Sequence, residues 1–288
     1  MLFHIKNVII HKREKQRMIS WFADSFKLEQ VFLSVDKDPR SVASYIKKRF
    51  LDDGYGFVIC DYNKFQNPQG AFASTIDSLG EKMAQNFNKD LSVVVENRGV
   101  KMTSGGRYHQ SNEGGSLHTD CPQWSKVPDY LALFCLNQSV IGGESKLISA
   151  IKIHEIIKQS DKKTGSSFLK TLESNFHFDK RGEYAFNESP TTFAPIFSNN
   201  RNEFSFRFLD SYVESGHKIA EKPLSLEQLK AIEFLKQLLK SEPLIFSYKL
   251  KKGQALFCNN KCVAHGRSSF EDTNENKRKL MRYWIKNE

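Results

Sequence analysis

Residues 117–120 read Leu117-His118-Thr119-Asp120, with a histidine and an aspartate two positions apart. In a β-strand, side chains at positions i and i+2 point to the same face. A strand here would present the imidazole of His118 beside the carboxylate of Asp120, and one more imidazole would complete three metal ligands. The pair alone is weak evidence, because a polar strand end produces the same spacing.

A second histidine with suitable surroundings occurs near the end of the chain. His265 lies in the segment NNKCVAHGRSSF, directly after a strand-like run. Two histidines, one carboxylate and open coordination positions form the arrangement of non-haem Fe(II) sites. His118, Asp120 and His265 are therefore the predicted metal ligands. His109, shortly before His118, is a rival ligand and also a candidate residue of a substrate pocket.

Two arginines follow His265 on the last strand-like run. Arg278, Leu280 and Arg282 share a parity, which predicts that both guanidinium groups lie on one face of the strand. An inward arginine is unfavourable unless a carboxylate meets it, and guanidinium groups bind carboxylates through paired hydrogen bonds. The pair predicts a dicarboxylate co-substrate, a carboxylate-bearing substrate or both. The alternative for Arg278 is an ion pair with Glu275.

The order of helical and strand patterns indicates one α+β domain. Helical spacing is present at 39–53, where Gly54 ends the helix, and at 225–240, which begins with a capping-box pattern. Apolar spacing also predicts a helix at 76–87. Many short strand-like runs follow residue 91, with a helical interruption at about 150–175. This order suits an antiparallel sandwich or jelly roll with no internal domain boundary.

Composition limits the classes of function. The chain has 288 residues, 39% of them hydrophobic and 12% aromatic, which excludes intrinsic disorder. The net charge of +10 suggests a nucleic-acid partner, but no nucleic-acid motif or long basic cluster is present, so none is predicted. No membrane span or leader is recognised. Five cysteines, an odd number, favour a reducing compartment, and we expect a cytoplasmic protein.

Several motifs, taken in order, resemble those of a known family. The chain is similar to the taurine dioxygenase and clavaminate synthase group of Fe(II)/2-oxoglutarate-dependent oxygenases over residues 40–288. The remaining residues, 1–38, form an N-terminal extension of uncertain structure in a single domain spanning 1–288. The matching motifs are GYGFVIC (54–60), LHTD (117–120), PDYLALFCL followed by GGES (142–145), GQALFCNNKCVAHGRSSF (253–270) and KRKLMR (277–282).

The resemblance implies a fold and a set of roles. The fold is a double-stranded β-helix, a cupin-like jelly roll, with flanking helices and a helical insertion. His118, Asp120 and His265 hold Fe(II), while 2-oxoglutarate and O2 serve as co-substrates. Arg278 binds the distal carboxylate of 2-oxoglutarate with help from Ser145, and Arg282 can face the carboxylate of the primary substrate.

The implied reaction is oxidation of an unactivated C–H bond, with release of succinate and CO2. Related halogenases carry a small residue in place of Asp120, so the carboxylate favours hydroxylation. Desaturation or cyclisation in a biosynthetic pathway remains an alternative. A jelly-roll binding module without catalytic activity is the alternative from another class.

The expected substrate is a small, carboxylate-bearing molecule that resembles an amino acid. The polar residues before His118 lie where this group often has a loop that covers the substrate; the alternative is a solvated turn. A charged pair in the segment FSFRFLDSY could meet a zwitterion; the alternative is ordinary surface charge. Oligomeric state is not predicted. The substrate candidates besides Arg282 are Gln110, Asn112, Glu113, Arg207 and Asp210.

Overall fold

A larger and a smaller β-sheet face each other across the protein. The computed structural model describes Trp21 and residues 27–86, 88–101, 106–200 and 203–287. Its strands are β1 (Phe32–Ser34), β2 (Phe57–Asp61), β3 (Glu81–Lys82), β4 (Ser92–Glu96), β5 (Tyr130–Asn137), β6 (Ile141–Gly142), β7 (Ser145–Ser149), β8 (Asn175–Asp179), β9 (Thr191–Pro195), β10 (Phe197–Asn200), β11 (Glu203–Phe206), β12 (Phe246–Tyr248), β13 (Gln254–Asn259), β14 (Val263–Arg267), β15 (Phe270–Glu271) and β16 (Lys279–Lys286).

The two sheets differ in strand order and in the direction of their strands. The larger sheet runs β1-β2-β13-β5-β16-β3, and β4 also pairs with β16. Its pairs are antiparallel except for β1 with β2. The smaller sheet runs β12-β7-β14 and is antiparallel throughout. Two such sheets packed face to face form a jelly-roll core, as the sequence predicted.

Alternation along the strands separates the core into layers. On β2, Phe57 and Ile59 pack between the sheets, whereas Val58 and Cys60 pack on the opposite face of the larger sheet. Leu147 of β7 belongs to the inner cluster, whereas its neighbour Ile148 packs outward. This period of two is what a strand buried on both faces requires.

Helices cover the outer faces of both sheets. The helices are α1 (Pro39–Ile46), α2 (Pro68–Asp77), α3 (Ala150–Thr164), α4 (Phe168–Leu172), α5 (Asp210–Ile219) and α6 (Leu226–Leu239). Apolar residues of α1 and α2 pack on the larger sheet, and those of α3 to α6 pack with β8 to β11 outside the smaller sheet. Together they give the expected α+β fold with flanking helices and a helical insertion. No helix in the described ranges is long and apolar enough to cross a bilayer.

Of two local predictions from the sequence, one is confirmed and the other is wrong. The capping box is confirmed: Ser225 accepts a hydrogen bond from the amide of Gln228 and begins α6. The helix predicted at 76–87 is wrong. Here α2 ends at Asp77, and the chain turns at Gly80 into β3, which pairs with the edge of β16. A Cβ at Gly80 would lie 2.3 Å from the carbonyl oxygen of Lys286, so the glycine permits this approach.

The predicted N-terminal extension falls mostly outside the described residues. Residues 1–20 and 22–26 are not described. Trp21 is fully buried, and its indole donates a hydrogen bond to the carbonyl oxygen of Leu244. The described part of the segment also supplies β1, which pairs in parallel with β2. These residues are therefore part of the folded core.

We predict that Gly216→Ala destabilises the protein, although alanine normally favours a helix over glycine. Gly216 lies in α5, where a Cβ would come within 2.3 Å of the carbonyl oxygen of His177 on β8. Overpacking of this kind typically costs about 1–3 kcal/mol. Urea unfolding measures the loss against Lys218→Ala, an exposed change in the same helix. Equal free energies of unfolding for the two variants would contradict the prediction.

Candidate metal centre

Three side chains with metal-ligand atoms meet between the two sheets. Nε2 of His118 lies 3.7 Å from Oδ1 of Asp120, and Nε2 of His265 lies 3.6 Å from the same oxygen. One ligand atom from each residue falls within 4.8 Å of the other two, and all three residues are buried. The fold therefore brings together the three residues predicted from the sequence. The rival ligand His109 is not part of this cluster.

The two histidines are joined through their backbones. The amide of His118 donates to the carbonyl oxygen of His265 over 2.9 Å, and the amide of His265 donates back over 2.8 Å. Nδ1 of His118 lies 2.8 Å from the carbonyl oxygen of Ser116, an acceptor, so Nδ1 carries the proton. Nε2 is then unprotonated and faces Asp120, which is the tautomer that a metal requires.

Charge in the centre follows from burial and from neighbours. Burial, and then the neighbouring imidazole of His265, lower the pKa of His118 to about 4, so its ring is neutral at pH 7. Burial alone would raise the pKa of Asp120, but the Arg282 guanidinium and the two histidines outweigh it and lower that pKa well below its usual range. A neutral imidazole and an ionised carboxylate are the forms that bind a metal.

The second carboxylate oxygen of Asp120 is fixed from behind. The indole of Trp284 donates to Oδ2 over 2.6 Å, and Nη1 of Arg282 lies 3.5 Å from the same oxygen. Arg282 stacks over the Trp284 ring at 4.3 Å, while its Nε donates to Oε1 of Gln85 over 2.8 Å. These contacts leave Oδ1 directed at the histidines.

Asn260 holds the backbone beside Asp120. Its Oδ1 accepts from the amide of Asp120 over 2.8 Å, and its Nδ2 donates to the carbonyl oxygens of Asp120 and Pro128. Cys121 then has a φ of +54°, which turns the chain sharply after the ligand. The side chain of Asn260, on the segment leading to β14, thus positions Asp120 relative to His265.

The donor set fits a non-haem iron. Two imidazole nitrogens and one carboxylate oxygen on one side of a point leave other coordination positions for ligands from solution. Outer hydrogen bonds of the kind made by Ser116 and Trp284 orient such ligands. Catalytic zinc can use a similar set, so the ligands alone do not select the metal.

A first cavity beside the centre, here called the Arg278 cavity, contains two buried arginines. Nε and Nη1 of Arg278 and Nε of Arg267 are buried without a hydrogen-bond partner among the described residues. Burial, and then the charge of Arg267, lower the pKa of Arg278 to about 10, which leaves it protonated at neutral pH. The cavity is lined by the three candidate ligands with Val95, Tyr108, His109, Leu131, Leu133, Ser145, Gly266, Arg267, Arg278, Leu280 and Arg282.

The Gly142-Gly143 turn packs against Arg278. Both glycines have positive φ, and a Cβ on Gly143 would lie 3.0 Å from Nε of Arg278. A Cβ on Gly142 would lie 1.9 Å from the carbonyl oxygen of Ser269. Ser145, which begins β7 directly after this turn, lines the Arg278 cavity. Backbone therefore packs against the guanidinium where a side chain would displace it.

A second cavity, here called the Trp124 cavity, opens on the other side of the ligands. Its charged side chains include Arg107, Glu183 and Arg282, and Tyr212 and Trp124 supply aromatic surface. Glu183 accepts from Nη2 of Arg107 and from the indole of Trp124, each over 2.8 Å. The cavity thus combines ionic groups with an apolar wall, as small-molecule sites commonly do.

The predicted substrate residues are distributed unevenly. Arg282 lines both cavities. The side chain of Asn112 is exposed and donates to the carbonyl oxygen of Phe270, and Nη1 of Arg207 donates to the carbonyl oxygen of Trp124. Gln110 lines a neighbouring cavity with Arg98 and Arg282.

Two further candidates lie near the His118 side of the centre. Glu113 and Asp210 line another cavity that includes His118, and Asp210 pairs with Lys236 at 2.7 Å. Neither residue lines the Arg278 cavity or the Trp124 cavity. Their roles, like those of the other substrate candidates, stay predictions.

Sequence reasoning missed several residues that shape the site. Arg267 shares strand parity with His265, so the same rule that found Arg278 and Arg282 could have found it. Trp284 shares parity with Arg282 and was available in the same way. Glu183 lies in the connection between β8 and β9, far from any recognised motif, and no local signal identifies it.

Comparison with known proteins identifies the family of this chain. Residues 53–284 match the model of the taurine catabolism dioxygenase TauD, TfdA family. The chain belongs to this family. The match includes all three candidate ligands with Arg278 and Arg282, and it bears out the family predicted from the motifs.

One curated relative has a sequence that is less than 30% identical to this chain. FR-33289 synthase from Streptomyces rubellomurinus (strain ATCC 31215) is 28% identical over 215 residues, which cover 72% of this chain and 60% of that protein. The chain thus matches less than two thirds of that relative's length.

Two solved structures share the double-stranded β-helix fold. An asparagine oxygenase in complex with Fe(II), 2S,3S-3-hydroxyasparagine and succinate superimposes with a TM-score of 0.66 at 15% identity, covering 86% of this chain and 78% of that one. The non-heme iron oxygenase OrfP, in complex with Fe, succinate and (3S)-hydroxy-L-Arg, gives 0.61 at 14% identity, covering 86% and 81%. The predicted fold class is confirmed.

We predict that Trp284→Phe weakens metal binding by about 10- to 100-fold, because removal of an outer hydrogen bond frees the Asp120 carboxylate to rotate. Trp124→Phe is the matched control, since its indole donates to Glu183 instead. Calorimetric titration with Mn(II) measures both variants. An unchanged affinity in Trp284→Phe would contradict a positioning role for the indole.

We also predict that the metal-free protein loses stability between pH 6.5 and 4. Burial, and then the charges of Arg282 and Arg107, lower the pKa of His109 to about 4. The unfolded chain therefore binds more protons in this range, and the free energy of unfolding falls with pH. The contribution of His109 is up to about 3 kcal/mol, present above pH 6.5 and lost towards pH 4.

Urea unfolding at several pH values tests this linkage. His109→Gln should flatten the dependence without abolishing it, because the pKa of His118 is lowered in the same way. Gln110→Ala, in the same short 3-10 helix, should keep the wild-type slope. A His109→Gln slope equal to that of wild type would exclude the proposed contribution.

Proposed function

We propose that the protein is an Fe(II)/2-oxoglutarate-dependent dioxygenase that hydroxylates a small, amino-acid-like substrate. One observation carries the proposal. Arg278, whose buried Nε and Nη1 have no hydrogen-bond partner among the residues that the structure describes, lines the same cavity as the three candidate ligands His118, Asp120 and His265. A buried guanidinium without a partner is unfavourable, so this cavity is suited to an anion that also reaches the metal.

A 2-oxo dicarboxylate has the matching chemistry. The bound iron would supply oxidation by O2, coupled to decarboxylation of 2-oxoglutarate to succinate. Arg278 would bind the distal carboxylate through paired hydrogen bonds, and Ser145 would donate its hydroxyl to the same group. Leu131, Leu133 and Leu280 line the cavity between these ends and exclude water from it.

The substrate would bind in the Trp124 cavity. Arg282 offers a carboxylate partner there, and Glu183 with Tyr212 supplies polar contacts at the opposite wall. The asparagine and arginine oxygenases of similar fold support an amino-acid-like substrate. Asp120 keeps a carboxylate in the ligand set, which favours hydroxylation. Desaturation or cyclisation would use the same residues, and the product mass separates these outcomes.

Two broader proposals concern the whole chain. We propose that residues 1–288 form one oxygenase domain, because the family match at residues 53–284 spans most strands of both sheets. All five cysteines are free and buried, which supports action in the reducing cytoplasm.

A succinate-release screen tests the function. Purified protein with Fe(II), ascorbate, 2-oxoglutarate and a panel of amino acids and simple amine acids is assayed for succinate, and each hit is analysed by mass spectrometry. Hydroxylation adds the mass of one oxygen atom. His118→Ala and Asp120→Ala should abolish substrate-dependent succinate release. Unchanged release in both variants would contradict the metal assignment and revive the non-catalytic alternative.

We predict that Arg278→Gln raises the KM for 2-oxoglutarate by about 10- to 100-fold, because a charge-assisted pair of hydrogen bonds is lost. Lys279→Gln is the control, since Lys279 is the next residue in the chain, is exposed at the start of β16 and pairs with Glu96. Steady-state succinate release measures both. A KM in Arg278→Gln that matches the control would exclude Arg278 as the anchor.

A further inference from the structure

Arg267 is a buried arginine that has no role in the function proposed above. It lies on β14 two residues after His265, with 5% of its surface exposed, and lines the Arg278 cavity. Its guanidinium lies between two aromatic rings, 4.5 Å from the centroid of Tyr108 and 4.9 Å from that of Phe270. Burial lowers its pKa, so its position is maintained by surrounding contacts against a desolvation cost.

One side of this guanidinium holds a loop. Nη1 donates to the carbonyl oxygen of Glu113 over 2.8 Å, and Nη2 donates to those of Tyr108, over 3.0 Å, and Ser111. The Tyr108 hydroxyl in turn accepts from the backbone amide of Arg267 over 3.0 Å. Arg267 therefore fixes residues 108–113, here called the Tyr108 segment.

The Tyr108 segment contributes to both cavities. The ring of Tyr108 packs edge-on against the His118 imidazole at 5.2 Å between centroids. Tyr108 and His109 line the Arg278 cavity and the Trp124 cavity alike. A shift of this segment would therefore change the wall of the proposed substrate pocket.

The other side of Arg267 is directed to the co-substrate end. Its Nε is buried without a partner among the described residues, as are Nε and Nη1 of Arg278. Both guanidiniums contact Phe270, with Arg278 at 5.1 Å from the ring centroid. Because both guanidiniums are positively charged and contact the same ring, they repel each other. Three of their nitrogens are buried donors without a partner among the described residues. An anion bound at Arg278 would reduce the repulsion between the two guanidiniums.

We propose that Arg267 is a positioning residue that couples binding of the distal carboxylate at Arg278 to ordering of the Tyr108 segment. This inference rests on the proposed function. A carboxylate beside Arg278 stabilises the neighbouring guanidinium, which in turn holds three carbonyl oxygens of the segment. The coupling is reciprocal, so the ordered segment also strengthens co-substrate binding.

Hydrogen exchange on Mn(II)-loaded protein tests the coupling without turnover. Saturating 2-oxoglutarate should slow amide exchange in residues 108–113 by about 10-fold. Pyruvate has the same 2-oxo acid end but no distal carboxylate, so at saturation it should leave exchange in the segment unchanged. This comparison uses the wild-type protein and does not depend on a variant that folds.

Two variants examine Arg267 directly. Arg267→Gln should bind 2-oxoglutarate about 10-fold more weakly and should give no protection of residues 108–113 at saturation. Arg267→Lys keeps the charge but lacks the fork that reaches three carbonyl oxygens, so it should give little protection and, because the coupling is reciprocal, should also bind 2-oxoglutarate about 10-fold more weakly. Calorimetry measures the binding in each case.

The outcomes separate this inference from the proposed function. If 2-oxoglutarate binds wild-type protein without protecting the segment, or if pyruvate protects it equally, the coupling is wrong and the proposed function stands. Full protection in Arg267→Gln would also overturn the role of Arg267. If 2-oxoglutarate does not bind at all, the proposed function fails, and the coupling fails with it.

Discussion

Two backbone hydrogen bonds between His118 and His265 hold the candidate centre together. They join segments that lie far apart in the chain, one leading out of the Tyr108 segment and the other in β14 of the smaller sheet. Because these bonds fix the backbones in register, the two imidazoles are side by side before any metal arrives. Asp120 then needs only a turn of the chain to reach them, and Asn260 holds that turn from the β14 side.

The surrounding charges are balanced unequally on the two sides of the ligands. Asp120 has Arg282 beside one of its oxygens, and Glu183 has Arg107, so charges on that side are paired within the protein. Arg267 and Arg278 retain buried nitrogens that have no hydrogen-bond partner within the described part of the chain. The unpaired positive charge therefore lies at one end of the site. This difference in pairing is the physical basis for assigning an anionic co-substrate to the Arg278 cavity and the variable substrate to the Trp124 cavity.

Much of the centre could be predicted from local sequence, because strand parity determines which side chains share a face. That rule was used for Arg278, which directly precedes β16, and for Arg282 within it, and both line the Arg278 cavity. It would have applied to Arg267 on β14. It does not apply where position depends on loops: Glu183 reaches the site from the β8–β9 connection, and the exposed side chain of Asn112 donates to the carbonyl oxygen of Phe270. The helix expected at 76–87 failed because pairing with the edge of β16 outweighed apolar spacing.

The Gly142-Gly143 turn has a consequence for how this site can diversify. Backbone atoms of this turn approach the Arg278 guanidinium with no side chain between, so this contact offers no side chain whose replacement would reshape it gradually. The Trp124 cavity is instead lined by side chains from separate segments, among them Trp124, Glu183 and Tyr212 of α5. Changes in what the enzyme accepts can accumulate there one residue at a time. The end that holds the oxo acid would meanwhile stay the same from one substrate to the next.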